Sequence, residues 1–303
     1  PAIDEQIDGS ATEPFLPDIQ VASSDLELPR TWSFSLGFEQ RLNDDLAVSL
    51  SGVHARTDNL FRFIDRTAPE LGDPFGVGTH PGGGGINSLI VTESTARSRY
   101  NAVTFGLKGR SALDGILTFE TNYTLAFDRS DDDNERDPFT LRYARADNLE
   151  PEYNWSDRDR RHQFNGSFLF QLPADVFVNN VVRFLTASPV SESCGPRDGN
   201  PFAPPAGERA VSPADRVCAD GSIIERNTLR RENEFFTWDI RISKEFEFGN
   251  GQTIEPIFEV FNLTNADNFL DGSQGGLLFN FDGTIRSGLG DSRRAQLGVR
   301  FRF

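Results

Sequence analysis

The chain has 303 residues and a formal net charge of −16 at pH 7. This charge argues against nucleic-acid binding, which needs a basic surface. No apolar run approaches the roughly 20 residues of a membrane-spanning helix, and no signal-peptide pattern is present. The sequence begins at Pro1 and contains no Met, so we expect it to be a piece of a longer chain.

Aromatic content and hydropathy point in different directions. The chain has 27 Phe residues, yet its mean hydropathy is −0.44. Transmembrane β-barrels combine these properties, because their strands alternate apolar and polar residues while aromatic girdles remain. The class to test is therefore an all-β membrane protein and not an enzyme.

Residues 1–30 have no clear period, and they carry seven acidic residues and one Arg. They are expected to form an acidic extracellular loop or arm, ahead of a barrel over residues 31–303. From Thr31 onward, apolar and polar residues alternate with period two, which predicts strands with one apolar face. Nine such segments are predicted, near 31–40, 46–51, 101–108, 117–127, 164–172, 176–186, 238–243, 254–264 and 296–303.

The predicted connections alternate in length. Short turns fall near 41–45, 113–115, 173–175 and 249–251, whereas the stretches near 60–97, 129–160, 187–233 and 265–291 are long. Outer-membrane barrels sort their connections in this way, with short turns in the periplasm and long loops outside. The predicted fold is thus an antiparallel transmembrane β-barrel, of which this chain is a C-terminal fragment.

Two features depart from the pattern of a regular, complete barrel. Pro256 is unsuited to a central strand and predicts a bulge or a local gap in the hydrogen bonding. Single-chain bacterial barrels have an even number of strands. Nine strands therefore lead us to expect at least one more strand before Pro1.

Five segments resemble motifs of TonB-dependent receptors, in particular their Oar-like, OmpA-related subgroup. The segments run, in chain order, over 28–37, 98–104, 155–164, 259–269 and 296–303. The resemblance implies the last nine strands of a 22-stranded outer-membrane barrel, whose plug and TonB box would lie upstream. It also implies that Val299, Phe301 and Phe303 form the C-terminal signal that the barrel-assembly machinery recognises.

The resemblance further implies TonB-dependent uptake of a large ligand: a siderophore, cobalamin, a saccharide or a peptide. A structural or adhesive surface protein that binds a partner without transport is the main alternative, and a soluble propeller or lectin is a third. No cofactor is expected. The other expected partners are outer-membrane lipid and lipopolysaccharide.

Several residues are candidates for sites. Cys194 and Cys218 share one loop, which predicts a disulfide in an oxidising compartment, although two free thiols remain an alternative. Polar strand residues are expected to face the lumen, either as structural ion-pair ladders or as a substrate path: Asp239, Arg241, Glu255, Glu259, Arg300 and Arg302.

The acidic run that includes Asp131, Asp133 and Glu135 has oxygen ligands that suit Ca²⁺, but it lacks the spacing of a calcium-binding loop. A solvated external loop is the preferred interpretation, and divalent ions held there could bridge to lipopolysaccharide. His162 is expected to belong to a structural ion-pair cluster with its charged neighbours.

Overall fold

The computed structural model describes residues 18–66, 88–131, 143–230, 234–268, 278–279, 285–287 and 292–303. The strands within these ranges, in chain order, are β1 Asp18–Ala22, β2 Arg30–Arg41, β3 Leu46–Asp65, β4 Ser88–Ala112, β5 Leu117–Ser130, β6 Asn154–Trp155, β7 His162–Leu172, β8 Val176–Leu185, β9 Pro189–Val190, β10 Leu229–Arg230, β11 Phe235–Lys244, β12 Phe246–Phe248, β13 Gln252–Phe261, β14 Leu278–Phe279, β15 Ile285–Ser287 and β16 Arg294–Arg302. Three short 3₁₀ turns cover Glu150–Glu152, Pro213–Arg216 and Gly249–Gly251.

One sheet of 12 strands organises the molecule. Its nine long members are β2, β3, β4, β5, β7, β8, β11, β13 and β16, which pair in this order, with β2 and β16 at opposite ends. Each pair of neighbours among them is antiparallel. The all-β antiparallel fold and its nine predicted strands are confirmed. The described residues contain no helix that is long and apolar enough to cross a membrane.

Connection length divides the sheet into a short-turn end and a long-loop end. Tight turns join β4 to β5 and β7 to β8, and they use left-handed backbone at Leu113, Asp114, Ala174 and Asp175. The turns contain four and three residues, between the pairs Ala112 with Leu117 and Leu172 with Val176, and short hairpin loops of this kind use left-handed residues to reverse the chain. At the other end tens of residues separate one long strand from the next, so the predicted alternation in connection length is confirmed.

The predicted loop near 60–97 was wrong at both ends. β3 continues to Asp65 and β4 begins at Ser88, so the two strands extend well past the other strands. The reason is packing: Ile64 is fully buried, and Tyr143 and Ala146 cover it. Leu149 packs against the same cluster. An apolar residue that is covered by a distant loop gives no local signal that a strand continues.

One pair in the sheet is parallel. β1 lies beside the first residues of β4, from Asp18 with Ser88 to Ala22 with Thr92. It occupies the side of β4 that β5 takes from Ser98 onward. The segment expected to be an arm therefore contains a short strand, which adds to the extension of β3 and β4 beyond the other strands.

Pro256 lies at a gap in the ladder, which was one of the two predicted outcomes. On one side of β13 the pairing with β11 ends at Ile257 and the pairing with β12 begins at Ile254. On the other side Pro256 stays in register with Val299. Because Pro has no N–H to donate, a position between two partner strands tolerates it.

The two faces of the sheet differ in chemistry. On one, the apolar face, large side chains are exposed; Trp32 is 75% exposed and Leu297 is 83% exposed. The opposite, polar face carries pairs such as Thr104 with Thr124, whose hydroxyls are 2.8 Å apart. In water an apolar face of this extent would be unfavourable, so contact with lipid is the expected environment.

We expect Leu50→Arg to destabilise the sheet in a bilayer by about 2–4 kcal/mol, because Leu50 lies on the apolar face in register with Phe38 and Phe105. The neighbouring change Ser51→Arg places the same charge on the polar face and should cost much less. Urea unfolding of the protein in lipid vesicles measures both. Equal costs for the two variants would contradict the assignment of the faces.

Candidate functional site

Charged side chains form a connected network on the polar face of the last three long strands. Glu255 is directly opposite Arg300, whose Nη1 lies 2.9 Å from a Glu255 oxygen. Arg241 lies 3.6 Å from Glu255 and 3.8 Å from Glu259. Gln296 then donates to Glu259 at 2.5 Å. We call these five residues the inner network.

Arg241, Glu255 and Arg300 of the inner network line an open concavity of about 310 Å³. Its remaining lining comes from β7, β8, β11 and their neighbours and consists of Leu169, Phe177, Asn179, Ser243, Glu245 and Arg302. Arg302 pairs with Glu245 at 3.4 Å. Asn179 Oδ1 is buried and has no hydrogen-bond partner among the described residues. The concavity is therefore lined by guanidinium groups, carboxylates and one hydrogen-bond acceptor that has no partner among the described residues.

Asp239 has a different role from the other predicted lumen residues. Its carboxylate accepts a hydrogen bond from the backbone N–H of Asn262 at 2.8 Å. Asn262 has a left-handed backbone and follows directly on the end of β13. The contact thus fixes where the chain leaves β13, and it sets Asp239 apart from the inner network.

A buried ion pair joins the two large loops above the long-loop end. Arg216 and Glu152 bond to each other, and their side chains are 1% and 0% exposed. Glu152 also accepts from the backbone N–H of Ala144 at 3.0 Å, while Arg216 donates to the Ile224 carbonyl at 3.1 Å. A buried pair is tolerated only when hydrogen bonds satisfy its remaining atoms, and these contacts do so.

Asp159 forms a second buried connection between the loops and the sheet. Its carboxylate is fully buried, accepts from the backbone N–H of Asp128 at 2.8 Å, and binds Arg161 and Arg230. The charged run before β7 is therefore an ion-pair cluster, as expected. His162 lies outside it, because its Nδ1 contacts the Tyr123 hydroxyl at 2.7 Å.

The two cysteines lie in the loop that Arg216 holds down. Their Cα atoms are 5.0 Å apart, and the structure joins Cys194 to Cys218 in a disulfide across 24 positions. Nearby, Ser212 and Asp215 form a capping box at the start of the second 3₁₀ turn. The loop is thus folded on itself as well as docked on its neighbour.

The acidic-run candidate is described only at Asp131. The Asp131 carboxylate accepts from the Arg97 backbone N–H at 2.9 Å and lies 3.8 Å from Arg62. Burial raises the pKa of the Asp131 carboxyl, and the neighbouring arginines oppose that rise. Asp133 and Glu135 lie outside the described residues. Within the described ranges no group of three or more potential ligands is placed to hold a metal ion.

Comparison with known proteins places this geometry in a family. The family model described as outer membrane beta barrel domain matches residues 2–191. The chain belongs to the outer membrane β-barrel domain family. It therefore resides in the bacterial outer membrane, and the exposed apolar face is explained by lipid. No curated protein matches the chain.

Solved structures share the fold at low sequence identity. The outer membrane transporter YddB from Escherichia coli is 9% identical, with a TM-score of 0.54, and the match covers 95% of this chain and 34% of that one. The FrpB iron transporter from Neisseria meningitidis is 12% identical, with a TM-score of 0.52 and coverages of 93% and 32%. The siderophore receptor PiuA from Acinetobacter baumannii is 10% identical, with a TM-score of 0.50 and coverages of 89% and 28%. This outer membrane β-barrel chain spans about a third of the length of these structures.

Sequence reasoning found the polar strand residues but missed the residues that fold the loops. Glu152, Arg216 and Arg226 were not singled out, because nothing local distinguishes them from solvated loop charges. Arg226 donates to the Ser130 carbonyl at 2.5 Å and is 5% exposed. Only contact between distant segments shows their role.

We predict that Glu152→Gln undocks the two loops, because it leaves the buried Arg216 guanidinium without a counter-ion. Breaking such a pair costs about 3–5 kcal/mol, which raises local opening at least about 100-fold. Hydrogen exchange at Ala144 and Ile224 measures this opening. Glu208→Gln, at an exposed glutamate of the same loop, is the matched control and should leave exchange unchanged.

A double variant without either charge tests whether the unpaired guanidinium causes the opening. Replacing both partners, as Glu152→Leu with Arg216→Met, removes the buried charge and should restore most of the protection at Ile224, whose N–H bonds to the backbone carbonyl of residue 216. The Ala144 N–H loses its acceptor in this variant, so only Ile224 is compared. If Glu152→Gln leaves exchange at the parent rate, the ion pair does not hold the loops together.

Proposed function

We propose that this chain forms part of the wall of an outer-membrane receptor that takes up a large ligand by coupling to TonB. The observation that carries the proposal is the fold: 95% of the chain superimposes on about a third of a solved outer-membrane transporter. The five sequence motifs that resemble TonB-dependent receptors of the Oar-like, OmpA-related subgroup give independent support. The plug and the TonB box would belong to another part of the protein.

The arrangement of faces and loops fits this role. With lipid against the apolar face, the polar face of β11, β13 and β16 lines the barrel interior, and Arg241, Glu255 and Arg300 lie on it. The long-loop end is proposed to face outside, where the docked loops present a folded surface to incoming ligands. Residues 1–30 would belong to this external surface as an acidic arm.

The C-terminal strand supports a role in assembly. Val299 and Phe301 are exposed on the apolar face, and Phe303 is 97% exposed beyond the end of β16. We propose that these three residues are read by the barrel-assembly machinery before the strand pairs in the membrane. The same residues would then contact lipid in the finished wall.

We predict that a strain without this protein loses uptake of one ligand from a labelled panel: a ferric siderophore, cobalamin, an oligosaccharide and a peptide. The ferric siderophore is tested first, because two of the similar structures are an iron transporter and a siderophore receptor. Uptake should also stop in a strain that lacks TonB. Surface binding without uptake would instead support the alternative, a structural or adhesive surface protein.

A substitution in the inner network distinguishes its two possible roles, as part of a substrate path or as a structural ion-pair ladder. Glu255→Gln leaves Arg241 and Arg300 without the carboxylate they share. If the network lies on the path, uptake falls while surface binding stays at the parent level. The matched control is Glu247→Gln, an exposed glutamate of β12. A fall in unfolding stability with uptake unchanged would assign the network to the ladder alone.

A further inference from the structure

A row of arginines crosses the apolar face near the long-loop end. Arg56 on β3 is directly opposite Arg99 on β4, and Arg99 is directly opposite Arg129 on β5. At one end Trp32 lies directly opposite Arg56 in the strand register, and at the other end Trp155 lies directly opposite Arg129. Neighbouring strands are about 4.8 Å apart, so the three arginines span about 10 Å. We call Arg56, Arg99 and Arg129 the arginine row.

The arginine row lies just above an apolar band of membrane thickness. On β5 the apolar face runs from Leu117 to Phe127 and reaches Arg129 at the next outward position. Ten residues at about 3.3 Å each, tilted by about 40°, rise about 25 Å, the height of the apolar band of an outer-membrane barrel. The row is therefore at headgroup level, where Trp is also enriched.

The row carries charge that the described residues only partly compensate. Asp58 pairs with Arg56 at 2.9 Å. Arg129 stacks over the Trp155 ring at 4.2 Å, and no described carboxylate pairs with Arg129 or Arg99, both of which are exposed. Like charges directly opposite each other on neighbouring strands destabilise a sheet. An anion bound across the row would relieve this repulsion.

The surroundings make the row specific. Arg161 lies over the Trp155 and Phe127 rings, at 4.3 Å from each, and Asp159 pairs with it. The chain as a whole is strongly acidic, with a net charge of −16. Because the chain is acidic overall, three adjacent arginines do not follow from its composition, and we attribute them to their position at headgroup level. Phosphate is the anion that fits, because guanidinium groups bind its oxygens in pairs.

We propose that the arginine row binds the phosphate groups of lipid headgroups in the outer leaflet. Arg99 and Arg129 supply the free charge, Trp32 and Trp155 hold the headgroup boundary, and the apolar face below accepts the acyl chains. The site is separate from ligand uptake, and its assignment to the outer leaflet rests on the proposed orientation with the long-loop end outside.

The test uses the protein purified from outer membranes and placed in phosphatidylcholine nanodiscs, with lipid A, a doubly phosphorylated glycolipid, as the probe. Native mass spectrometry counts the bound probe. We expect Arg99→Gln with Arg129→Gln to lower its affinity at least about tenfold, because two charge-assisted contacts are lost. The matched control, Arg183→Gln, removes one positive charge on the polar face, where Arg183 lies opposite Asn165, and should have no effect.

Two further arms identify the chemistry. Dephosphorylated lipid A should bind the parent protein as weakly as intact lipid A binds the double variant. Inorganic phosphate at matched concentration should not displace the probe, because it has no acyl chains to contact the apolar face. Urea unfolding shows that each variant is folded, and labelled-ligand uptake is measured separately.

Several results would overturn the proposal. The proposal is wrong if the double variant binds the probe as the parent does, or if Arg183→Gln lowers binding equally. Unchanged affinity for dephosphorylated lipid A would also contradict it. Displacement by inorganic phosphate would assign the row to free anions.

Discussion

The structure depends on one constraint, the two-residue period of the side chains along paired strands. Residues that are directly opposite each other on neighbouring strands lie on the same face of the sheet, and every second residue along each strand lies on that face. From β2 to β16 these registers keep Phe34, Phe105 and Val299 on one side, while Glu120, Arg241 and Glu255 lie on the other. A slip of one residue would exchange the two faces, placing carboxylates in lipid and aromatic rings in the interior.

The same constraint explains why polar features occur where they do. Within the hydrocarbon region backbone groups need partners, and the sheet supplies them through its ladders. Pro256 is accommodated at the one place where β13 passes from β11 to β12 as its neighbour. Irregular backbone is concentrated beyond the strands, where buried pairs such as Glu152 with Arg216 replace ladder hydrogen bonds. Buried ion pairs thus stabilise the loops, and the register of the paired strands determines the structure of the wall.

The sequence predicted the wall well and the loops poorly, for a physical reason. Strand periodicity is local, so the nine strands, the tight turns near Leu113 and Ala174, and the faces of the closing strand could be read from the residues alone. The loop structure depends on contacts between segments far apart in the chain. Asp159 with Arg230 and Arg226 with Ser130 are separated by 71 and 96 positions. The extension of β3 likewise depends on Tyr143, which no local pattern reveals.

Register also determined which part of the candidate sites was predictable. Arg241, Glu255, Glu259 and Arg300 were placed on one face by alternation, yet their connection into one network needed the alignment of three strands. The arginine row needed the alignment of β3, β4 and β5, because each arginine alone resembles an ordinary charge at a strand end. Asp239 was placed on the correct strand, but its contact with the Asn262 backbone depends on the turn after β13.

The orientation of the wall in the membrane is the claim on which the rest depends, and cysteine labelling in intact cells tests it directly. Asp220→Cys places a thiol in an exposed long loop and Asp114→Cys places one in a short turn, while the native cysteines are joined to each other. A membrane-impermeant maleimide should label Asp220→Cys in intact cells and Asp114→Cys only after the outer membrane is opened. Labelling of Asp114→Cys in intact cells, with Asp220→Cys protected, would contradict the account.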